Sequence, residues 1–331
     1  MIVLGIETSC DETSASIVEN GIVLTNKIYS QQVHKEYGGV VPDLASKDHE
    51  KNIYNIVLNS INDAGIKLLD IDVIAVTFGS GLLSSLIVGL NFAKGLSIGL
   101  NIPIVAINHL EGHLCSSIIN NKFIKYPYMS LIVSGGHTQI WYLKDLNDYK
   151  VISNTVDDAV GEAFDKGARI LGLGYPGGPE IEKKAKDGDA HKFKFSIPNV
   201  KNNNLSFSFS GLKTALLYKK NKLDESKETY SINDLAASYQ KALIDTLFDK
   251  LSKALKLYKV DVISIVGGVS ANKSFREKAL VFERDNNIKI IFPSMEYCTD
   301  NAAMIAMAGY LKYKNNETSS LDILPNPNIS R

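Results

Sequence analysis

The sequence predicts an α/β fold in which one architecture is built twice, and three observations carry that reading. A hairpin opens the chain, with apolar Ile2–Ile6, a polar tip at Glu7–Thr13 and a returning segment at Ser14–Glu19. A second hairpin of the same type follows at Tyr128–Val133, Ser134–His137 and Thr138–Leu143. Each half then carries a strand, a glycine loop and a helix, first at Val73–Thr77, Phe78–Gly81 and Leu82–Leu100, later at Val262–Val266, Gly267–Asn272 and the helix beyond. The repeat is one of architecture and not of residues. At 331 residues the chain also exceeds the usual size of one core, so two domains of roughly 150 residues are expected.

The remaining elements follow from period-two or helical spacing between turn residues. Lys27–Gln32 continues the first sheet, and Gly38–Pro42 breaks it before a helix that carries His49 and runs to Ala64. Ile102–Ile107 is an apolar run that leads into Asn108. Asp157–Lys166 reads as a helix with acids on one side, ended by a rigid loop over Gly172–Pro179. Lys183–Asn204 is polar and reads as a surface excursion, and Ser206–Ser210 alternates like a strand. Asn233–Tyr258 is a periodic helix and Ile288–Phe292 a strand. Thr299-Asp300-Asn301 forms a capping cluster before a helix over Ala302–Tyr313, and Pro325 and Pro327 keep the tail extended.

Composition excludes several classes. Lys plus Arg equals Asp plus Glu at 36 each, so no global basic field exists and any nucleic acid must be held by a local patch. Cys10, Cys115 and Cys298 lie far apart without metal spacing, which fits a reducing compartment and no disulfide framework. The start of the chain lacks the basic region of a signal peptide. The most apolar stretch, Leu82–Leu100, contains Ser84, Ser85, Asn91 and Lys94 and reads as a buried helix, not a membrane span. A cytoplasmic protein without membrane partners is the expectation.

The chemistry centres on Asn108-His109-Leu110-Glu111-Gly112-His113. If Asn108 caps a helix, His109 and His113 lie one turn apart on one face, about 5–6 Å apart at Cβ, where two imidazoles can share a metal ion. The helix dipole at that end disfavours imidazolium and would keep both rings neutral. Asn108 and Glu111 also match a capping box. Peptide hydrolysis of the zincin type needs Glu directly after the first His, and Leu110 stands there.

Gly5–Thr13, His109–His113, Val133–Gln139, Gly174–Pro179, Ser208–Thr214 and Cys298–Ala303 together resemble the bacterial TsaD family, in order and across nearly the whole chain. The resemblance implies the actin, Hsp70 and sugar-kinase superfamily, with two ribonuclease H-like lobes of mixed sheets around a central nucleotide cleft. It implies lobes at 1–126 and 127–300, with 301–331 packing back on the first. It implies transfer of a threonylcarbamoyl group from threonylcarbamoyl-adenylate to N6 of the adenosine beside the anticodon in tRNAs reading ANN codons, with release of AMP.

By that resemblance His109, His113 and Asp300 are metal ligands for Fe(2+) or Zn(2+), with Asp300 reaching the histidines from the second lobe. Ile132, Val133, Ser134, Gly135 and Gly136 form the substrate loop, and Asp165, Gly178, Glu182 and Asn272 contact the nucleotide. Glu182 stands where many relatives have Asp, and Ser80 where a Gly-Pro-Gly loop is usual. Asp11, with Glu12 beside it, either orients the attacking amine or a water, or caps the hairpin turn. Implied partners are tRNA, a TsaB-type paralogue and a TsaE-type ATPase. Leu82–Leu100 and the helix after Ile53 are the candidate pairing surface. The competing readings are a metalloendopeptidase and a nucleotide-dependent scaffold resembling Hsp70 or actin.

Overall fold

In the computed structural model the described residues are 1–119, 121, 124–145, 148–200, 203–226 and 229–329, with residue 35 described through its backbone alone. The strands are β1 (Ile2–Glu7), β2 (Glu12–Glu19), β3 (Ile22–Ser30), β4 (Val73–Gly79), β5 (Ile104–Asn108), β6 (Tyr128–Val133), β7 (Thr138–Leu143), β8 (Tyr149–Asn154), β9 (Val262–Val266) and β10 (Lys289–Ile291). The helices are α1 (Pro42–Asp63), α2 (Leu83–Leu100), α3 (His109–Ser116), α4 (Val160–Ile170), α5 (Gly177–Ala185), α6 (Ser210–Ser226), α7 (Ile232–Leu257), α8 (Lys273–Asn286) and α9 (Ala302–Lys314).

The chain forms two compact units, residues 1–122 with 293–331 and residues 123–292. The return to the first unit comes at Pro293, ahead of Asp300, not at 301. The first unit holds a sheet of order β3-β2-β1-β4-β5, and the second, read in the same sense, one of order β8-β7-β6-β9-β10. In each, the first three strands in sequence form an antiparallel meander and the other two add in parallel beside the first. The architectural repeat is therefore a repeat of topology, strand for strand.

The first unit explains why its strands read as unbroken apolar runs: both faces of its sheet are covered. Leu4, Ile6, Ile74 and Val76 pack with Ile53 and Val57 of α1 and Leu90 and Ala93 of α2. On the opposite face Val3, Val73, Ala75, Val105 and Ile107 pack with Ala303–Ala308 of α9. Every residue from Ala302 to Gly309 is buried, as an all-apolar helix requires. The approach is close, because a Cβ on Gly5 would lie 2.4 Å from the Ala302 carbonyl and one on Gly309 2.3 Å from the Ala75 Cβ.

Some elements differ from the sequence expectation. Helix α2 buries Ser85, Leu86, Gly89, Leu90, Ala93 and Ser97, yet leaves Leu83 50%, Ile87 41% and Ile98 66% exposed, so it is covered on one side only. By length and composition it could also cross a membrane, but its small-residue side packs on β4 and α1. The expected rigid loop ends early, because α5 begins at Gly177 with Pro179 in its first turn, where the missing N–H has no intrahelical role. Of the surface excursion, residues 201–202 lie outside the described residues.

Ser206–Ser210 is not a strand. Only Phe207 makes a bridge, to Thr155, and α6 begins at Ser210. Asp157 explains the break: its carboxylate accepts hydrogen bonds from the hydroxyls of Ser208 and Ser210 and the backbone N–H groups of Phe209 and Ser210. Burial pushes this carboxyl up, but those donors outweigh it and hold it below the usual range. A depressed folded pKa contributes stability above the unfolded pKa of about 3.9 and loses it as pH falls through the folded value. Asp157→Asn is therefore expected to destabilise at pH 7. Urea titrations at falling pH should show the difference from wild type shrinking below about pH 4.

Candidate metal centre and substrate loop

Strands β1, β4 and β5 run parallel, with Ile6 beside Val76 and Thr77 beside Ile107. Alternation on the α9 side reads Val3-Gly5-Glu7, Val73-Ala75-Thr77 and Val105-Ile107-His109, each apolar series ending in a polar residue at the carboxyl end. Such strand ends are where ligands of open α/β sheets collect. Glu7 and Thr77 are wholly buried and His109 is 6% exposed. Asn108 ends β5 and caps α3 by accepting the Leu110 N–H at 2.9 Å, which places His113 one turn beyond His109. The two rings meet edge to face, 4.6 Å apart. Asp300 stands just before α9, whose N-terminus Asn301 caps through the Met304 N–H.

These placements bring three donors together. Asp300 Oδ1 lies 3.5 Å from His109 Nε2 and 3.2 Å from His113 Nε2, and one donor atom from each side chain lies within 4.8 Å of the others. Tetrahedral bonds of about 2.0–2.2 Å put donor atoms roughly 3.3–3.6 Å apart, so the set fits one metal ion with positions left over. His113 supplies an independent sign. It is completely buried, yet neither ring nitrogen has a hydrogen-bond partner among the described residues. Its approach to Asp300 is close but out of line, as suits two donors aimed at one ion and not at each other.

The charges favour a cation. Burial pushes the His109 imidazolium down, but Asp300 and Glu7 outweigh it and hold its pKa well above the usual value. This corrects the expectation that the helix dipole keeps both rings neutral: two carboxylates prevail over the dipole at His109. Burial raises the Asp300 carboxyl, and the two histidines reverse this to well below the usual range. Glu12 is pushed the other way, well up, by burial and then by Asp300 and Asp11. Asp11, at the tip, accepts the Gln31 N–H at its backbone carbonyl. The Cys10 thiol is pushed well up by burial and the acids Asp11, Asp300 and Glu12, so it is no nucleophile at neutral pH.

Asp300 belongs to the same unit as both histidines, so the ligand set closes within one unit and does not bridge two lobes. The Glu111 carboxylate pairs with Lys312 of α9 at 2.7 Å. Leu110, where a zincin has its general base, is buried in the core. Sequence reasoning missed Glu7, Ser9 and Thr77, all of which reach the His109 surroundings. The signal available was the polar residue ending each parallel strand on one face.

In the second unit, Ile132 and Val133 end β6, and the Ser134–His137 tip closes through mutual bonds between Ser134 and His137. Gly161 opens α4 against this tip, its N–H donating to the Ser134 carbonyl, with no room for a Cβ beside Gly135. A Cβ on Gly135 or Gly136 would meet nothing within 4 Å, so the outer side of the tip is open to a ligand. Asp165 of α4 accepts the Gly177 N–H at 2.7 Å, next to Gly178. Glu182 accepts the Lys273 N–H, and Asn272 caps α8 through Phe275 while donating to Gln240. The expected nucleotide residues thus sit on elements of one unit, with Asn272 and Glu182 both engaged at the start of α8.

Comparison with known proteins decides the family. The model of the TsaD family, described as tRNA N6-adenosine threonylcarbamoyltransferase, matches residues 22–307. The chain belongs to the TsaD family. A tRNA N6-adenosine threonylcarbamoyltransferase of Thermosipho africanus is 50% identical over 332 residues, covering 99% of this chain and all of the relative. One of Caldicellulosiruptor saccharolyticus is 47% identical, covering all of this chain and 98% of the relative. Among solved structures, HypF of T. kodakarensis matches 95% of this chain and 48% of its own, with TM-score 0.64 at 14% identity. Component A of the Acidaminococcus fermentans (R)-2-hydroxyglutaryl-CoA dehydratase matches 95% of this chain and 99% of its own, with TM-score 0.57 at 14% identity. This TsaD member shares its α/β fold, with two mixed five-stranded sheets, with those two structures.

Proposed function

We propose that this chain transfers a threonylcarbamoyl group from threonylcarbamoyl-adenylate to N6 of adenosine 37 in tRNAs that read ANN codons. The observation that carries the reading is the convergence of His109, His113 and Asp300 at the strand ends of a TsaD-family chain. In the reaction the adenosine amine attacks the carbamoyl carbonyl, the bond from that carbon to the phosphate oxygen breaks, AMP leaves and the amine loses a proton. A mixed anhydride already holds a good leaving group, so orientation and charge stabilisation suffice and no nucleophilic side chain is needed. The raised Cys10 thiol agrees with this.

Backbone N–H groups of Gly135 and Gly136 are suited to phosphate oxygens, and Ile132, Val133, Ser134, Asp165, Gly178, Glu182 and Asn272 complete the adenylate site. Asp11 and Glu12 are adjacent, and the Asp300 charge acts on the Glu12 carboxyl. Glu12, with its carboxyl pushed up, suits handling the proton that the amine gives up. A divalent ion, Fe(2+) or Zn(2+), held by His109, His113 and Asp300 would supply Lewis-acid stabilisation of phosphate or carbonyl oxygen.

The partners follow the same reading. Exposed Leu83, Ile87 and Ile98 of α2, with Tyr54 and Leu58 of α1, form an apolar face suited to a TsaB-type paralogue, and a TsaE-type ATPase completes the assembly. For tRNA, the lysines at the end of α5 and on α6 are the local basic candidates, although Lys213 and Lys220 already pair with Asp158 and Asp224. A cytoplasmic setting suits all of these. The test incubates the full chain and its partners with threonylcarbamoyl-adenylate and unmodified tRNA. Modified nucleoside and AMP in equal amounts are expected, and neither appearing under metal-replete conditions would overturn the reading.

A further inference from the structure

We propose that Glu7 is the positioning carboxylate of this metal centre, holding the Nδ1–H of His109 and so aiming Nε2 at the point shared with His113 and Asp300. The inference rests on the metal reading above. Glu7 ends β1 with its side chain wholly buried. One carboxylate oxygen accepts the Ser9 N–H, and the other accepts the Thr77 hydroxyl and faces His109 Nδ1 at 3.2 Å. Ser9 Oγ stands 3.1 Å from the same nitrogen.

An ionised carboxylate can only accept, so the shared proton sits on Nδ1. On the far side of the ring, Nε2 faces Asp300. Ring orientation and tautomer are thus both fixed by Glu7, whose own orientation is fixed by Ser9 and Thr77. A purely structural role explains less. A neutral glutamine or threonine could meet the Ser9 and Thr77 donors without desolvating a charge, and only the imidazole gains from the carboxylate. Carboxylate, histidine and metal in line is the arrangement that raises ligand basicity and holds a site together.

The test uses the full chain with Co(2+) as the probe metal, read by its visible ligand-field bands and by competition with a chelator. Wild type and His113→Leu come first: no Co(2+) bound by wild type would overturn the metal reading itself. Given wild-type binding that His113→Leu abolishes, Glu7→Gln is expected to weaken Co(2+) roughly 10–100-fold and to change the band pattern, with far-ultraviolet circular dichroism unchanged. Glu7→Gln with wild-type affinity and bands would overturn the inference. Should Glu7→Gln fail to fold, Thr77→Val decides. It leaves Glu7 in place but removes the hydroxyl bonded to the carboxylate oxygen that faces Nδ1, so it should weaken Co(2+) measurably, and wild-type affinity would overturn the inference.

Discussion

Replacing His113 with leucine is expected to abolish metal binding while making the metal-free protein more stable. The ring is fully buried and both of its nitrogens lack hydrogen-bond partners among the described residues. Each buried, unmet polar atom costs about 1–3 kcal/mol, and leucine fills a similar volume with no polar atom to satisfy. His113→Leu should therefore gain about 1–3 kcal/mol in urea unfolding of the metal-free chain. With one of three donors gone, metal affinity should fall by more than the roughly 10–100-fold typical of losing an outer partner, and transfer should fall with it. Stability lost together with unchanged metal content would return His113 to the ordinary core. Stability gained at the expense of binding is the mark of a residue kept for function.

That contrast shows what the sequence could and could not reveal. His109 and His113 were legible because the helical repeat alone puts them on one face, and Asn108 marked where the helix starts. Asp300 was legible only as part of a family motif, since nothing local says that α9 folds back over β1, β4 and β5. Strands β6, β7 and β9 were legible to the residue, because apolar runs bounded by glycine or polar tips admit few other registers. Helix α5 was hidden by Gly177-Gly178-Pro179, residues that suit a loop and suit a first helical turn equally. Ser206–Ser210 alternated like a strand, but Asp157, distant in sequence, draws its backbone into a helix start. Glu7 looked like the edge of a polar turn. Only the parallel pairing of β1 with β4 and β4 with β5 shows that Glu7, Thr77 and His109 end on one face.

The position that ties this fold to its site most tightly is Gly5, and Gly5→Ala is expected to damage both. A Cβ there would stand 2.4 Å from the Ala302 carbonyl oxygen and 2.7 Å from the Ala306 backbone nitrogen and Cβ. These are atoms of a buried helix, not the far end of a flexible chain, so α9 itself must move. Overpacking of this kind costs about 1–3 kcal/mol, read as a lower urea midpoint at unchanged slope. The displaced helix start carries Asp300, and a metal site tolerates roughly 0.5 Å of error in its donors. Metal affinity should therefore drop although no ligand has been altered. Gly95→Ala is the matched control: it lies within α2, a Cβ there would meet nothing within 4 Å, and a helix interior prefers alanine by about 1 kcal/mol. It should leave metal binding untouched and hold or raise stability. If Gly5→Ala instead behaves like Gly95→Ala, then α9 is free to shift without moving Asp300, and the close seating of α9 on β1 is not what sets the third donor.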